Sequence, residues 1–136
     1  MEWAFIERYR VQAAPGMPAM EAAGSTNQTT IARSLPRHRG QANLTWGTGA
    51  TRVGARLHYI GAYRNDRSGI TETRIGDSLL LDVTAQHRFG QQLDLTVGAY
   101  NLLRARPPIA QFAFGYDPIV HDPRGPMLGV GLTRTW

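Results

Sequence analysis

The sequence predicts an all-β chain, an antiparallel meander of six long strands. Three observations carry that prediction. Along its 136 residues, apolar and polar side chains alternate with a period of two and nowhere with the 3.6-residue period of a helix. The alternating runs are about 7 to 13 residues long, against the five or six usual for strands of soluble domains. The connections between the runs are long and short in strict turn.

The first strand is expected over 3–12, with Trp3, Phe5, Tyr9 and Val11 on one side and Arg8 and Arg10 on the other; Glu7 falls on the apolar side and makes it the least regular run. Residues 13–40, rich in Pro, Gly, Ser and Thr, read as a long loop. The second strand, 41–47, sets Ala42, Leu44 and Trp46 against Asn43 and Thr45, and Gly47-Thr48-Gly49-Ala50 reads as a tight turn. The third, 52–63, places Val53, Ala55, Leu57, Tyr59, Gly61 and Tyr63 on one face. After a loop over 64–76, the fourth, 77–89, is the clearest: Leu79, Leu81, Val83, Ala85, His87 and Phe89 oppose Leu80, Asp82, Thr84, Gln86 and Arg88. Gly90-Gln91-Gln92 turns the chain into the fifth, 93–103, where Leu93, Leu95, Val97 and Ala99 oppose Asp94, Thr96 and Gly98. A third long loop, 104–125, leads to the sixth, 127–136, with Leu128, Val130, Leu132 and Trp136 on one side.

A strand tilted across a bilayer needs about 9–11 residues, and long outer loops alternating with short periplasmic turns are the layout of outer-membrane barrels. On that layout the last strand descends to the periplasmic rim and the first ascends. A soluble β-sandwich alternates in the same way and stays open at this point, as a sandwich or lipocalin-like binding module; strand length and loop asymmetry favour the barrel. No run approaches eighteen consecutive apolar residues, a test that barrel strands pass unnoticed. The opening Met1-Glu2-Trp3-Ala4-Phe5 lacks the basic start, apolar stretch and cleavage site of a secretory signal.

The formal net charge is +5, and all 15 basic residues are Arg. They are spread along the chain, with Arg37/Arg39 and Arg104/Arg106 the tightest clusters, a pattern of solvated surface more than of a nucleic-acid footprint, although a basic nucleic-acid-binding β-protein remains a second alternative. The absence of Cys excludes a disulfide framework, a thiolate metal site and a cysteine nucleophile. There is no Gly-x-Ser-x-Gly elbow and no Gly-rich phosphate loop before a helix. His38, His58, His87 and His121 lie far apart, His121-Asp122 reads as a water-facing loop pair, and no carboxylate pair suits acid–base work. Neither an enzyme nor a cofactor or metal site is expected.

The last third carries a resemblance. Val97-Gly98-Ala99-Tyr100-Asn101-Leu102-Leu103, then Pro107-Pro108, then Gly115-Tyr116-Asp117-Pro118, then Asp122-Pro123-Arg124-Gly125, leads to a short strand ending in Trp136. The order and spacing resemble the closing segment of TonB-dependent outer-membrane receptors. Leu35-Pro36-Arg37-His38-Arg39-Gly40 before Leu44-Thr45-Trp46 is similar to that family's lead-in to an earlier descending strand, and Tyr59-Ile60-Gly61-Ala62-Tyr63 to its Tyr-x-Gly-x-Tyr strand end. The resemblance covers residues 34–136. Arg134 stands where the family has an aromatic or apolar residue, and Pro126 where it often has Arg or an aromatic; Arg134 and His87 suit an apolar face only near an interface.

The resemblance implies an open segment of a transmembrane barrel of about 22 strands, in the outer membrane of a Gram-negative bacterium, without its plug and earlier strands: a truncated gene product, or a fragment of a longer receptor. It implies uptake of a scarce nutrient such as an iron–siderophore complex, with outer-membrane lipid, the remaining strands and plug, TonB (through the absent N-terminal region) and the barrel assembly machinery as partners. Arg56, His58, Asp82, Thr84, Gln86, Arg88, Asp94 and Thr96 would then face the lumen. Phe112, Phe114 and Tyr116 are candidate ligand contacts on an outer loop. Leu128, Val130, Leu132 and Trp136 would form the insertion signal.

Overall fold

The computed structural model describes all of residues 1–136 and contains eleven strands and no helix: β1 (Glu2–Phe5), β2 (Arg10–Val11), β3 (Met20–Glu21), β4 (Ser25–Thr26), β5 (His38–Thr48), β6 (Thr51–Ile60), β7 (Tyr63–Asn65), β8 (Arg74–Ile75), β9 (Ser78–Phe89), β10 (Leu93–Tyr100) and β11 (Met127–Arg134). Six of them form one antiparallel sheet in the order β1-β5-β6-β9-β10-β11. The five short strands lie in the long connections, as a β2-β3 pair and a β4-β7-β8 sheet.

The two tight hairpins follow from glycine. Thr48 pairs with Thr51 across Gly49-Ala50, and Phe89 with Leu93 across Gly90-Gln91-Gln92. Gly49 (φ 51°) and Gly90 (φ 63°) open these turns in the left-handed region, where hairpin twist requires a residue without a Cβ penalty. At the other end of the sheet, β10 stops at Asn101, which also has a positive φ (51°). Its backbone N–H donates to Asp82 Oδ1 (2.9 Å), its amide nitrogen donates to the carbonyls of Ala105 (2.9 Å) and Arg124 (3.1 Å), and its Oδ1 accepts the N–H of Ala105 (2.9 Å). One side chain thus holds both ends of the loop between β10 and β11.

The strand ends are staggered. The pairing Thr51↔His87, continued by the Arg88 N–H to the Ala50 carbonyl (2.9 Å), sets the first hairpin loop opposite Arg88 and Phe89, yet the second hairpin turns only at Gly90–Gln92. The turns therefore step along the strands by two to three residues per hairpin, which at about 3.3 Å per residue and about 4.8 Å between strands inclines the strands by roughly 40° to the normal of the line of turns.

The run expected over 3–12 is two strands. β5 begins at His38, so in the direction of increasing residue number the pairing of β1 stops at Phe5, with Glu2–Phe5 against Gln41–His38; the Ile6 N–H then bonds to the Arg37 carbonyl, and Arg10–Val11 leaves the sheet to pair with Met20–Glu21. Glu7, the residue that broke the alternation, sits in the break. The segments expected over 52–63 and 93–103 also end sooner in the large sheet, at Ile60 and Tyr100. Tyr63 belongs instead to β7, whose partners are β4 (parallel) and β8.

Twenty of the 136 residues are buried, and only Gly40, Ile60, Ser78 and Gly98 among them belong to the large sheet. The packed interior is a cap built by the long connections at one end of the sheet, around Tyr63, Ile75 and Ala110 with Phe112 and Val120 against them.

Candidate functional site

Cross-strand partners in an antiparallel ladder share a face, so the register sorts every side chain of the large sheet. One face carries Leu44, Ala55, Val83, Ala99 and Leu128 in a single row, Trp46, Val53, Ala85, Val97 and Val130 in the next, and Ala42, Leu57 and Leu81 on the other side. No second sheet or helix covers it: Leu44 is 72% exposed, Val130 75% and Leu128 84%. Five strands about 4.8 Å apart share the first two of these rows and three share the third, so the face presents an apolar surface on the order of 400 Å², the size of the largest patches usual on soluble monomers and often functional there.

Aromatic residues frame this face at both ends. At the cap end Trp3 stacks on Tyr59 (centroids 5.7 Å apart, planes at 12°) and Phe5 on His38 (4.8 Å, 27°); the Trp3 ring lies over Gly40, where a Cβ would overlap it. At the turn end stand Trp46, Phe89 and Trp136. His87, the polar residue on the apolar stripe, is in the second-last row, with Nδ1 2.8 Å from Thr51 Oγ1 and its ring edge-on to Phe89. Arg134 shares the last row with Phe89 and Leu93. Leu128, Val130 and Leu132 line the free edge strand on this face.

The opposite face is polar. Register places all eight positions expected to face a lumen on it: Arg56 opposite Asp82 and Asn43, His58 opposite Gln41, Thr84 between Gly54 and Gly98, Gln86 between Arg52 and Thr96, and Arg88 opposite Asp94. Arg88 and Asp94 form a forked pair (Nε to Oδ1 2.8 Å, Nη2 to Oδ2 3.2 Å), and Arg56 Nε donates to Asn43 Oδ1 (3.3 Å). Tyr100 lies on this face too, with its ring across Gly98 and against Gly129.

The cap gives the third surface. The Tyr63 hydroxyl donates to Asp117 Oδ2 (2.7 Å), and the Tyr63 ring stacks on His121 (5.9 Å, 17°). Burial, then the hydrogen bond to Asp117, holds the Tyr63 phenol well above its ordinary range. Burial pushes His121 below its ordinary range against the opposing pull of Asp117. Asn65 Nδ2 donates to the Gln111 carbonyl (3.2 Å), Arg67 Nε donates to Asn65 Oδ1 (3.0 Å), and the Arg67 guanidinium lies over the Phe112 ring (4.1 Å). Of the three aromatic loop candidates, Phe112 thus packs against the cap core, whereas Phe114 points outward beside Tyr116 (6.4 Å). Sequence reading took His121-Asp122 as a solvent-facing pair. His121 is in fact buried, and Asp122 turns to Arg124, which holds its carboxyl below the ordinary range.

Sequence reading also missed the polar interior of the first long loop, where Ser25, Thr26, Asn27 and Thr30 are buried. Asn27 Oδ1 accepts the Thr29 N–H (2.9 Å) and the Thr29 hydroxyl (2.7 Å); an Asn two residues before a Thr-Thr pair is the available signal for such a turn. No three His, Asp or Glu side chains converge in an arrangement that could hold a metal. No helix is long and apolar enough to cross a membrane, which has no bearing on crossing by strands. No protein-family model, no curated protein and no solved structure matches the chain.

Proposed function

We propose that the large sheet is a piece of the wall of a transmembrane β-barrel, and that the chain is the C-terminal barrel segment of a TonB-dependent outer-membrane receptor for a scarce nutrient such as an iron–siderophore complex. The observation that carries the membrane reading is the apolar face itself: continuous across the strands, framed by aromatics at both ends, and covered by nothing in the chain. In water such a face is a liability; in a bilayer it is the surface that meets hydrocarbon, with the aromatics in the interfacial belts. The stagger supports the same reading, because an inclination of roughly 40° falls within the 35–45° strand tilt of barrels. So does the placement of long loops at one end and tight turns at the other. The family assignment rests on the motif resemblance over 34–136.

The sheet has open edges, on the outer side of β11 and along β5 beyond its short pairing with β1. Unpaired backbone groups in hydrocarbon cost on the order of several kcal/mol each. Transport therefore requires further strands to close the wall, and a plug and TonB contact supplied outside these residues; the segment alone is not transport-competent. Insertion would use the barrel assembly machinery, with Leu128, Val130, Leu132 and Trp136 as the signal strand.

The chain has no Cys, so single-cysteine labelling needs no background changes. With an environment-sensitive label, Leu44→Cys, Val83→Cys and Val130→Cys in lipid bilayers are expected to be quenched by a lipid-soluble quencher. Thr84→Cys, Gln86→Cys and Thr96→Cys are expected to respond to an aqueous one. Equal responses from the two sets would end the membrane reading. The family reading is tested separately by the coding sequence directly upstream, where further strands and a plug are expected in frame.

A further inference from the structure

We infer that Arg134, held over the indole of Trp136 at the turn end of the apolar face, binds the headgroup phosphate of an anionic phospholipid. The inference rests on the membrane reading above and adds a specific lipid contact to it.

The register puts Arg134 in the last row of the apolar face, level with Phe89 and Leu93. The guanidinium carbon lies 4.1 Å from the centroid of the Trp136 ring, so one face of the cation is covered by an aromatic surface while its N–H groups radiate from the edge. None of the four ion pairs of the chain includes Arg134, and its side chain makes no hydrogen bond within the protein. The closest acid along the ladder, Asp94, is turned to the opposite face and occupied by Arg88. The neighbouring side chains on its own face, Phe89, Leu93 and Leu132, supply no anion.

A charged group on such a face is tolerated only where it reaches the interface. Arg134 is at that level, because the next residue, Thr135, bonds through its N–H to the carbonyl of Gln92 in the turn (2.8 Å). There the group that satisfies an unpaired planar fork of donors is a phosphate oxygen pair. An anionic headgroup presents that phosphate without the neutralising ammonium of phosphatidylcholine. Trp136 then has two tasks: it sits at the headgroup level itself, and it fixes the guanidinium in place for the phosphate.

The test is partition of the 136-residue chain into vesicles of phosphatidylcholine alone and of phosphatidylcholine mixed with phosphatidylglycerol, at fixed ionic strength. The wild-type chain is expected to bind both and to gain affinity with phosphatidylglycerol. Arg134→Gln should lose about fivefold of that gain, whereas Arg52→Gln, the same charge change on the opposite face, should keep most of it. Equal losses in the two variants, or none in either, would overturn the Arg134 site while leaving the membrane reading intact. Failure of the wild-type chain to bind phosphatidylcholine vesicles would overturn the membrane reading and this inference with it. Inorganic phosphate at matched ionic strength should leave the gain unchanged; its loss would mean a site for soluble phosphate instead of lipid.

Discussion

Tyr63 and Asp117 are 54 residues apart in the chain and 2.7 Å apart in space, the phenol donating to Oδ2. Tyr63 closes the Tyr-x-Gly-x-Tyr stretch after β6, and Asp117 belongs to the Gly-Tyr-Asp-Pro stretch before β11. Two motifs that stand apart in the sequence are therefore the two halves of one buried hydrogen bond, which ties the start of β7 to the loop before β11.

Removing that donor is the direct test. In Tyr63→Phe the ring still packs on Ile75, Ala110 and His121, but the fully buried Asp117 carboxyl keeps only the Ile119 N–H at Oδ1 (3.0 Å). An unsatisfied buried acceptor costs about 1–3 kcal/mol. Amide hydrogen exchange should therefore speed up over 63–65, 74–75 and 110–121 and leave β9 and β10 unchanged. Unchanged exchange in the cap would show that the bond contributes nothing.

The same cluster should respond to pH. Burial depresses His121 in the folded chain, so the unfolded chain binds the proton more readily. The contribution of neutral His121 is complete above its ordinary pKa of about 6.5 and declines as pH falls through that value. Tyr63 runs the other way: its phenol is raised on folding, so its contribution is complete below about pH 10 and declines in stronger base. Cap protection should peak in the neutral range. His121→Phe, which keeps the stacking and removes the titration, should flatten the acid side only.

Asn101 separates backbone from side chain. Its φ of 51° costs Ala about 1–2 kcal/mol and Gly almost nothing, and both substitutions remove the three side-chain hydrogen bonds to Ala105 and Arg124. Chemical denaturation should rank wild type above Asn101→Gly and Asn101→Gly above Asn101→Ala. Equal stability of the two variants would show that the left-handed geometry relaxes without cost.

The large sheet was legible because period-two alternation needs only one chain to be seen. Leu79 to Phe89 and Leu93 to Ala99 are expected and found as strands, with the expected residues sharing faces. Alternation carries no information about where a partner runs out, however. Trp3 to Val11 alternates, but β5 begins at His38, so the pairing stops at Phe5. The two-residue strands of the loops are too short to show any period. The cap was hidden for a different reason: its interior is polar. Asn27, Asn65, Asp117 and His121 are residue types that mark exposed loops in a sequence, and here they are buried: neighbouring loop backbone and side chains meet most hydrogen bonds of the first three, whereas His121 is held by stacking on Tyr63 with its Nε2 left without a partner. Which loop supplies each partner is a property of topology.

Tyr100 on the polar face predicts a compensating pair. A Cβ on Gly98 would lie 2.7 Å from the Tyr100 hydroxyl and 2.9 Å from its ring, so Gly98→Ala must displace the ring from its place across the β10-β11 pair. Because Tyr100 is 38% exposed and its ring can swing outward, the cost is that of the contacts it gives up over Gly98 and Gly129, about 1 kcal/mol, at the low end of overpacking. In a double-mutant cycle, Gly98→Ala should be destabilising with Tyr100 present and nearly neutral in Tyr100→Ala. Additive effects would mean that the ring moves aside freely.

Thr96 and Val97 are consecutive on β10 and point to opposite faces, which makes them the sharpest probe of what surrounds the sheet. In water both are on uncovered surface, and Thr96→Arg and Val97→Arg should be tolerated alike. In a bilayer the two part company. Val97 lies in the row of Trp46, Val53, Ala85 and Val130, where Arg on the lipid side costs about 2–4 kcal/mol near mid-depth. Thr96 is beside Gln86 and Gly131 on the polar side, where Arg costs little. Phe89→Arg, at the turn end of the same apolar face, should fall to about 0–1 kcal/mol because the charge reaches the interface. The measurement is the stability of each variant in bilayers by denaturant titration. The required order is Val97→Arg well below Phe89→Arg, with Thr96→Arg near wild type. If the two neighbours on β10 respond equally, the apolar side of the sheet does not meet hydrocarbon.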